Sequence, residues 1–282
     1  MTRDINTDLI TSTVTRLCQE ANSFVDERFL RAMEEAVGRE DSALAKQTLN
    51  QLIENARLAR EGRVPLCQDC GTAVVFLEVG QDAHVVGGDL YEAVHEGVRQ
   101  GYARGYLRKS MLRQPFSARK NTGDNTPAVI HADIVAGSQL KVTVMPKGGG
   151  SENMSKLFML TPSRGREGVV DCAVRAVDDA GSNPCPPVIV GVGIGGTAEK
   201  AMFLAKKALL REVGEPGSDP EIAELERDIL ERVNALGIGP QGFGGRTTAV
   251  AAHVETFPCH LASLPVAVNL QCNSARHKEA VL

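Results

Sequence analysis

The amino-acid sequence predicts an α+β fold. Apolar residues recur at helical spacing over residues 8–60. Two short β-rich runs flank a turn at residues 136–139, and two more close the chain. Between them helices and strands alternate irregularly with an apparent hairpin, a pattern unlike a doubly wound parallel sheet. The expected architecture is an N-terminal helical layer followed by mixed strands and helices around a set of cysteine-bearing loops. One domain is expected over residues 1–282, helical to about residue 62 and α+β over 63–282.

Leu9, Ile10, Val14 and Leu17 form the first apolar stripe. Phe29, Leu30, Met33 and Val37 form the second, with Gly38 as its stop. Asp41 or Ser42 caps a third helix carrying Leu44, Leu49, Leu52, Ile53 and Leu58. No chemistry is expected on these helices. The pattern breaks into a loop at Val64-Pro-Leu-Cys-Gln-Asp-Cys-Gly71, and residues 74–79 make a strand. A helix over about 90–107 ends in Arg108-Lys109, and Asn121-Thr-Gly-Asp-Asn-Thr-Pro127 is turn chemistry throughout. Residues 129–135 and 140–145 are expected to pair as a hairpin. Lys147-Gly-Gly-Gly-Ser-Glu-Asn153 is expected to be a flexible loop, with Ser151 capping a short helix after it.

Residues 168–179 read as a helix, before a loop in which Pro184, Pro186 and Pro187 stiffen the chain around Cys185. A short strand at 188–190 and a glycine-rich turn then feed a helix over 197–213. Met202, Ala205, Leu209 and Leu210 face inward there, with Lys206, Lys207 and Arg211 in the closing turns. Pro220 opens a helix carrying Ile222, Leu225, Ile229, Leu230 and Val233. A second glycine-rich loop covers Gly237-Ile-Gly-Pro-Gln-Gly-Phe-Gly-Gly245, and the closing β-rich runs are 247–254 and 264–270.

Composition excludes several functions. The net charge of -4 argues against nucleic acid and anionic membranes as partners, which usually call for a basic face. Aromatic residues are 4% with no Trp, so no stacking platform for single strands is present. No apolar run reaches the roughly 18 residues of a membrane span, and the polar first residues lack the apolar core of a signal peptide. A cytoplasmic location is the expectation. Seven cysteines scattered over such a chain point to metal or catalytic thiols in preference to disulfides. Cys18 and Cys172 lie on helical patterns and read as small buried hydrophobes.

Gly191-Val-Gly-Ile-Gly-Gly196 matches the dinucleotide fingerprint literally. The second strand with an acidic end about 20 residues on is missing, since the region around Glu212 is still helix. A structural tight turn is the better reading, with an anion at the helix N-terminus left open. Cys67-x-x-Cys70 runs into a strand, unlike a thioredoxin motif, and lacks the second ligand pair of a zinc site. Beside Cys185 and Cys272, each near Gly, Pro or Asn, it reads as part of an iron–sulfur ligand set. Three thiolates would leave one iron open for Lewis-acid work. Asp69 fits a proton-transfer role or a plain turn equally well. Arg108 suits either a helix end or a ligand, and His260 reads from spacing as a packed histidine in preference to a titrating one.

Seven blocks in order carry a resemblance over nearly the whole chain. They are Cys67-Gln-Asp-x-Gly71, Leu107-Arg108, the 121–127 and 147–153 segments, Asn183-Pro-Cys-Pro-Pro187 with its glycines, Gly237-Ile-Gly-Pro-Gln-Gly242, and Cys272 with Arg276. The chain resembles the α subunit, or N-terminal half, of class I iron–sulfur fumarate hydratases and tartrate dehydratases. The resemblance implies an iron–sulfur hydro-lyase catalytic domain with a 4Fe-4S cluster on Cys67, Cys185 and Cys272. It implies catalytic roles for Asp69 and His260, and contacts to a small dicarboxylate from Gln68, Asp69, Arg108, Gly149 and Gly150. Cys70 departs from the family's usual Thr. The half that carries further substrate residues has no counterpart in these 282 residues. A separate β subunit is therefore expected, in a dimer of α–β pairs. Fumarate is the expected substrate because the 121–127 and 147–153 blocks look closer to fumarases, with L(+)-tartrate as the alternative. A cluster-bearing scaffold or redox module, or a nucleotide-dependent oxidoreductase, are the readings from other classes.

Overall fold

A computed structural model of the chain describes residues 2–282. It is α+β, as expected, and falls into two compact units. Among the described residues the first holds 2–25, 56–149 and 276–282, and the second holds 26–55 and 150–275.

In chain order the elements of the N-terminal region are β1 (Arg3–Asn6), α1 (Thr7–Ser23), α2 (Glu27–Arg39) and α3 (Ala43–Gly62). Asn6 caps α1 through a bond from the Asp8 amide, and Asp26 caps α2 through one from Arg28. Gly38 does not stop α2, which runs on to Arg39. Then come β2 (Thr72–Gly80), β3 (Ala83–Val86), α4 (Leu90–Arg104), β4 (Val129–Val135) and β5 (Leu140–Lys147). The first unit is completed by β10 (Lys278–Val281), whose number follows its place at the end of the chain. Its four-stranded sheet has the order β10-β5-β2-β4. Ile10, Val14 and Leu17 of α1 and Val94, Val98 and Tyr102 of α4 are fully buried with Val75, Val142 and Val144 of the sheet. Leu9 lies on the opposite, exposed face of α1.

The expected hairpin of 129–135 with 140–145 does not form. β2 lies between the two strands, parallel to β4 and antiparallel to β5. Its run Ala73-Val-Val-Phe-Leu77 is buried residue after residue, as suits a central strand, whereas β4 is largely exposed and takes the edge. The connection at 136–139 therefore wraps the end of β2, where Gly80 N donates to Gln139 O.

Besides α2 and the first part of α3, the second unit contains α5 (Gly149–Glu152), β6 (Lys156–Leu160), α6 (Gly165–Ala180), β7 (Val188–Gly195), α7 (Ala198–Ala208), α8 (Pro220–Asn234), β8 (Ala249–Phe257) and β9 (Leu264–Gln271), with the first residue of α5 falling in unit 1. Its sheet runs β6-β9-β7-β8. Ala173 and Val177 of α6 and Ile229 and Val233 of α8 pack with Val190, Val192, Val268 and Leu270. The 147–153 segment is no flexible loop: β5 reaches Lys147, and Ser151 lies inside α5. Glu152 anchors that turn by accepting from Lys206 Nζ at 2.5 Å and Asn269 Nδ2 at 3.1 Å.

The glycine fingerprint is neither a nucleotide loop nor, over most of its length, a turn. β7 extends through it to Gly195. A Cβ on Gly191 would lie 2.2 Å from Ala205 O, and one on Gly193 2.1 Å from Ala201 O. The glycines let the backbone of α7 lie directly on the strand, which no side chain there would permit. α7 is shorter than expected and ends at Ala208.

Among the described residues no helix is long and apolar enough to cross a membrane. Gly191→Ala should lower stability by about 2–4 kcal/mol, since it drives a methyl into helix backbone; urea unfolding monitored by circular dichroism measures it. His253, buried on β8 with Nδ1 3.2 Å from Ala208 O, is pulled down to about 4 by burial and by Arg211. The unfolded chain binds the extra proton between that value and the ordinary 6.5. Its contribution to stability is therefore full above pH 6.5 and lost as the pH falls toward 4, by about 3 kcal/mol. Denaturant titrations at pH 7.5 and 4.5, with His253→Asn as reference, should show that difference.

Candidate active site

The residues expected to act in unit 1 gather on the turn from Cys67 to Gly71. Asp69 Oδ1 accepts from Gly71 N at 2.9 Å, so the carboxylate does build a turn. Its other oxygen, Oδ2, accepts from Gly149 N at 2.7 Å. Asp69 and Gly149, 80 residues apart, are thus brought together. The turn's carbonyls are held from below. Asp69 O accepts from Arg276 Nη1 at 2.7 Å, and Cys70 O from the Tyr102 hydroxyl at 2.7 Å. Gly71 O accepts from Tyr102 at 3.2 Å and from Asn125 Nδ2 at 3.1 Å. Gly71 itself has φ +72°, and a Cβ there would strike Lys147 N at 2.6 Å, so only glycine lets β5 close on the turn.

The two cysteines of the turn differ. Cys67 is half-buried; its Sγ accepts from Asp69 N at 3.4 Å and its thiol donates to Gln68 Oε1 at 3.1 Å. Cys70 is 2% exposed, and burial pushes its thiol above the ordinary value. The Cys70 sulfur accepts from Arg108 N at 3.2 Å. Cys70 is therefore a packing residue that fixes the Arg108 backbone.

Arg108 does not end a helix. α4 stops at Arg104, where Gly105 N caps on Gly101 O and Leu107 N turns back to Tyr102 O. Tyr106, with φ 53°, breaks the helix because a left-handed residue cannot continue it. Arg108 follows in a loop and is exposed, as is Gln68.

In unit 2, Cys185 sits exposed in a left-handed turn at φ 55°. Cys185 O accepts from Asn273 N at 3.2 Å and from Asn273 Nδ2 at 2.7 Å, which seats the Cys272 loop against it. Pro186 O accepts from both Gln241 N at 2.8 Å and Gln241 Nε2 at 2.9 Å. The second glycine-rich loop is thus a clamp on the Cys185 loop. Gly150 borders the same loop, since a Cβ on it would stand 2.9 Å from Asn183 O.

His260 lies elsewhere in unit 2. Ile189, at the start of β7, is opposite Gln271, whereas Gly195, at its end, is opposite Phe257. Cys185 and Cys272 flank the first end and His260 the second, about 25 Å away along an eight-residue strand. His260 is exposed, not packed, with Nδ1 accepting from Ala262 N at 3.2 Å. It lines an apolar cavity of about 430 Å³ with Cys259, Ile222 and Leu264. Unit 2 does not bring His260 to Cys185 or Cys272.

None of the seven cysteines is in a disulfide. Among the described residues no three His, Cys, Asp or Glu side chains crowd together as ligands of a single metal ion. A cuboidal cluster keeps its thiolates apart on separate irons, so the chemistry of each donor decides the fit. Cys67, Cys185 and Cys272 fit: each is a solvent-reachable thiol on a turn held by neighbouring hydrogen bonds, and Cys67 already receives an amide N–H on sulfur. Cys18, Cys70 and Cys172 do not, being buried with thiols pushed up by burial, Cys18 to about 12.

The model of the fumarate hydratase (Fumerase) family matches residues 11–281. The chain is 43% identical over 269 residues to a putative L(+)-tartrate dehydratase subunit alpha of Methanocaldococcus jannaschii, covering 93% of this chain and 94% of that one. It is 32% identical over 235 residues to the L(+)-tartrate dehydratase subunit alpha of Escherichia coli strain K12, covering 83% and 77%. The chain belongs to the fumarate hydratase family and is a hydro-lyase.

Sequence reasoning missed the supports of the site. Tyr102 falls within the expected helix, Asn125 within the 121–127 turn and Gln241 within the second glycine-rich loop, and no pattern in the sequence marks these residues or Asn273 as partners of backbone carbonyls. In the metal-free reduced chain at pH 7, iodoacetamide should label Cys185 and Cys259 at least ~100-fold faster than Cys18, Cys70 and Cys172, by peptide mass spectrometry.

Proposed function

We propose that this chain is the α subunit of a two-subunit iron–sulfur hydro-lyase that dehydrates L(+)-tartrate to oxaloacetate. The observation that carries the reading is the match of nearly the whole chain to an archaeal protein of that description, supported by the Escherichia coli relative. The Cys67, Cys185 and Cys272 thiolates hold a 4Fe-4S cluster. When bound, the cluster supplies an open iron as Lewis acid for the substrate's hydroxyl and carboxylate. Cys70, buried and engaged with Arg108 N, is not a ligand.

This chain's own groups bind and orient the dicarboxylate. Arg108, exposed and held through its backbone, offers a planar fork to one carboxylate. Gln68 and the Gly149–Gly150 backbone supply further polar contacts. Asp69 holds or moves the proton on the carbon next to the departing hydroxyl; the Gly149 amide on Oδ2 keeps that carboxylate aimed. His260 receives no step here, because it stands at the far end of β7 from Cys185 and Cys272. A separate β-type subunit completes the site, and α–β pairs associate as a dimer.

Reversible hydration of fumarate is the second reading. It is favoured by the family's description and by the 121–127 and 147–153 blocks.

The test is an anaerobic assay of the iron- and sulfide-loaded chain, with and without its β-type partner, on L(+)-tartrate and fumarate. Oxaloacetate formed from tartrate only when β is present supports the proposal. Fumarate consumed with tartrate untouched moves the function to the second reading, and turnover of neither overturns both. In the active pair Asp69→Asn should lower kcat by about 10²–10⁴-fold. Cys185→Ser should lose the cluster iron, while Cys70→Ala keeps it; iron and acid-labile sulfide analysis decides.

A further inference from the structure

We propose that Arg276 is a positioning residue for the reaction, pinning the turn that carries Cys67 and Asp69. The inference rests on the roles given above to those two residues. Arg276 is 1% exposed and heads the fully buried side chains by volume. Its Nη1 donates to Asp69 O at 2.7 Å and to Asn22 Oδ1 at 3.3 Å, while its Nε has no partner. No carboxylate stands within ion-pair distance of it among the described residues. A buried guanidinium with no carboxylate in direct contact is a burden on stability, and apolar packing of the same volume would relieve it. A role in packing alone therefore does not account for an arginine at this position.

Its placement does account for it. The Asp69 carbonyl is reached from a residue 207 positions away, so the bond is a tertiary tie across unit 1 rather than local turn chemistry. Asn22 completes the tie: its side chain holds Nη1, and its own carbonyl accepts from Leu66 N at 2.9 Å, just before Cys67. The turn is thus fixed on both sides of Cys67 by one buried pair. A Cβ on Gly148 would lie 3.4 Å from Arg276 Nη2 and 3.3 Å from Asp69 Oδ2, so guanidinium and carboxylate flank the same glycine. Moving Arg276 moves Asp69 O directly, and with it the carboxylate's seat on Gly149 N. Since Tyr102 and Asn125 hold Cys70 O and Gly71 O, losing Arg276 should loosen the Cys67–Asp69 end and leave the Gly71 end in place.

The test compares wild type with Arg276→Met and Arg276→Lys. In the metal-free chain, iodoacetamide labelling of Cys67 is measured against labelling of Cys185 in the same molecule. In the loaded α–β enzyme, kcat and KM are measured for the dicarboxylate that it turns over. Arg276→Met should raise the Cys67-to-Cys185 labelling ratio about fivefold and lower kcat at least about tenfold, with a smaller change in KM. Lys, which keeps one donor for Asp69 O, should restore much of both. A folded Met variant with unchanged labelling ratio and kcat overturns the proposal. Where Met prevents folding, Asn22→Ala is read in its place, and an unchanged labelling ratio there overturns it equally. If wild type turns over neither dicarboxylate, the functional reading fails, and the labelling ratio alone still decides whether Arg276 positions Cys67.

Discussion

Three consecutive carbonyls, at Asp69, Cys70 and Gly71, are taken up by buried donors from three distant parts of unit 1. A loop that presents a thiol and a carboxylate cannot also bury its backbone in a ladder, so its polar groups need partners from elsewhere. Tyr102 comes from α4, Asn125 from the turn chemistry before β4, and Arg276 from the last residues before β10. Those elements must be placed before the turn has a shape. The core of α1 and α4 on the sheet is what places them, because Tyr102 is itself part of that core.

Unit 2 solves the same problem with different groups. Prolines on both sides of Cys185 remove amide donors and narrow the chain's freedom, and the carbonyls of Cys185 and Pro186 are then caught by Asn273 and Gln241. Each captor is a side-chain amide with its own backbone N–H aimed at the same oxygen. The loop is stiff before any ligand arrives, so little entropy remains to be lost on binding. The glycines of β7 serve that unit differently, by letting α7 rest on the strand.

Much of this was legible along the chain. The three N-terminal helices and the helix after Pro220 follow from helical periodicity, and β2 and the closing strands from short unbroken apolar, β-rich runs. Cys18 and Cys172 were readable as packing for the same reason. The family blocks singled out Cys67, Cys185 and Cys272, which the structure places on turns within reach of solvent. Other features were not legible. The 129–135 and 140–145 runs look like a hairpin because their connection is short, yet β2, from much earlier in the chain, is the better partner for both. Periodicity reports which face is buried and is silent on which strand lies next.

By itself, the sequence determined the class of fold, the family and the residue types that could bind iron and a dicarboxylate, because these depend on local pattern and on short blocks. Only tertiary structure decided between neighbours. It buried Cys70 and left Cys67 reachable, took Arg108 off its helix, turned a nucleotide-like glycine run into strand, and set His260 at the far end of β7. Each of these outcomes depends on what packs against a residue from far along the chain, and burial of that kind is a property of the assembled core rather than of any segment in it.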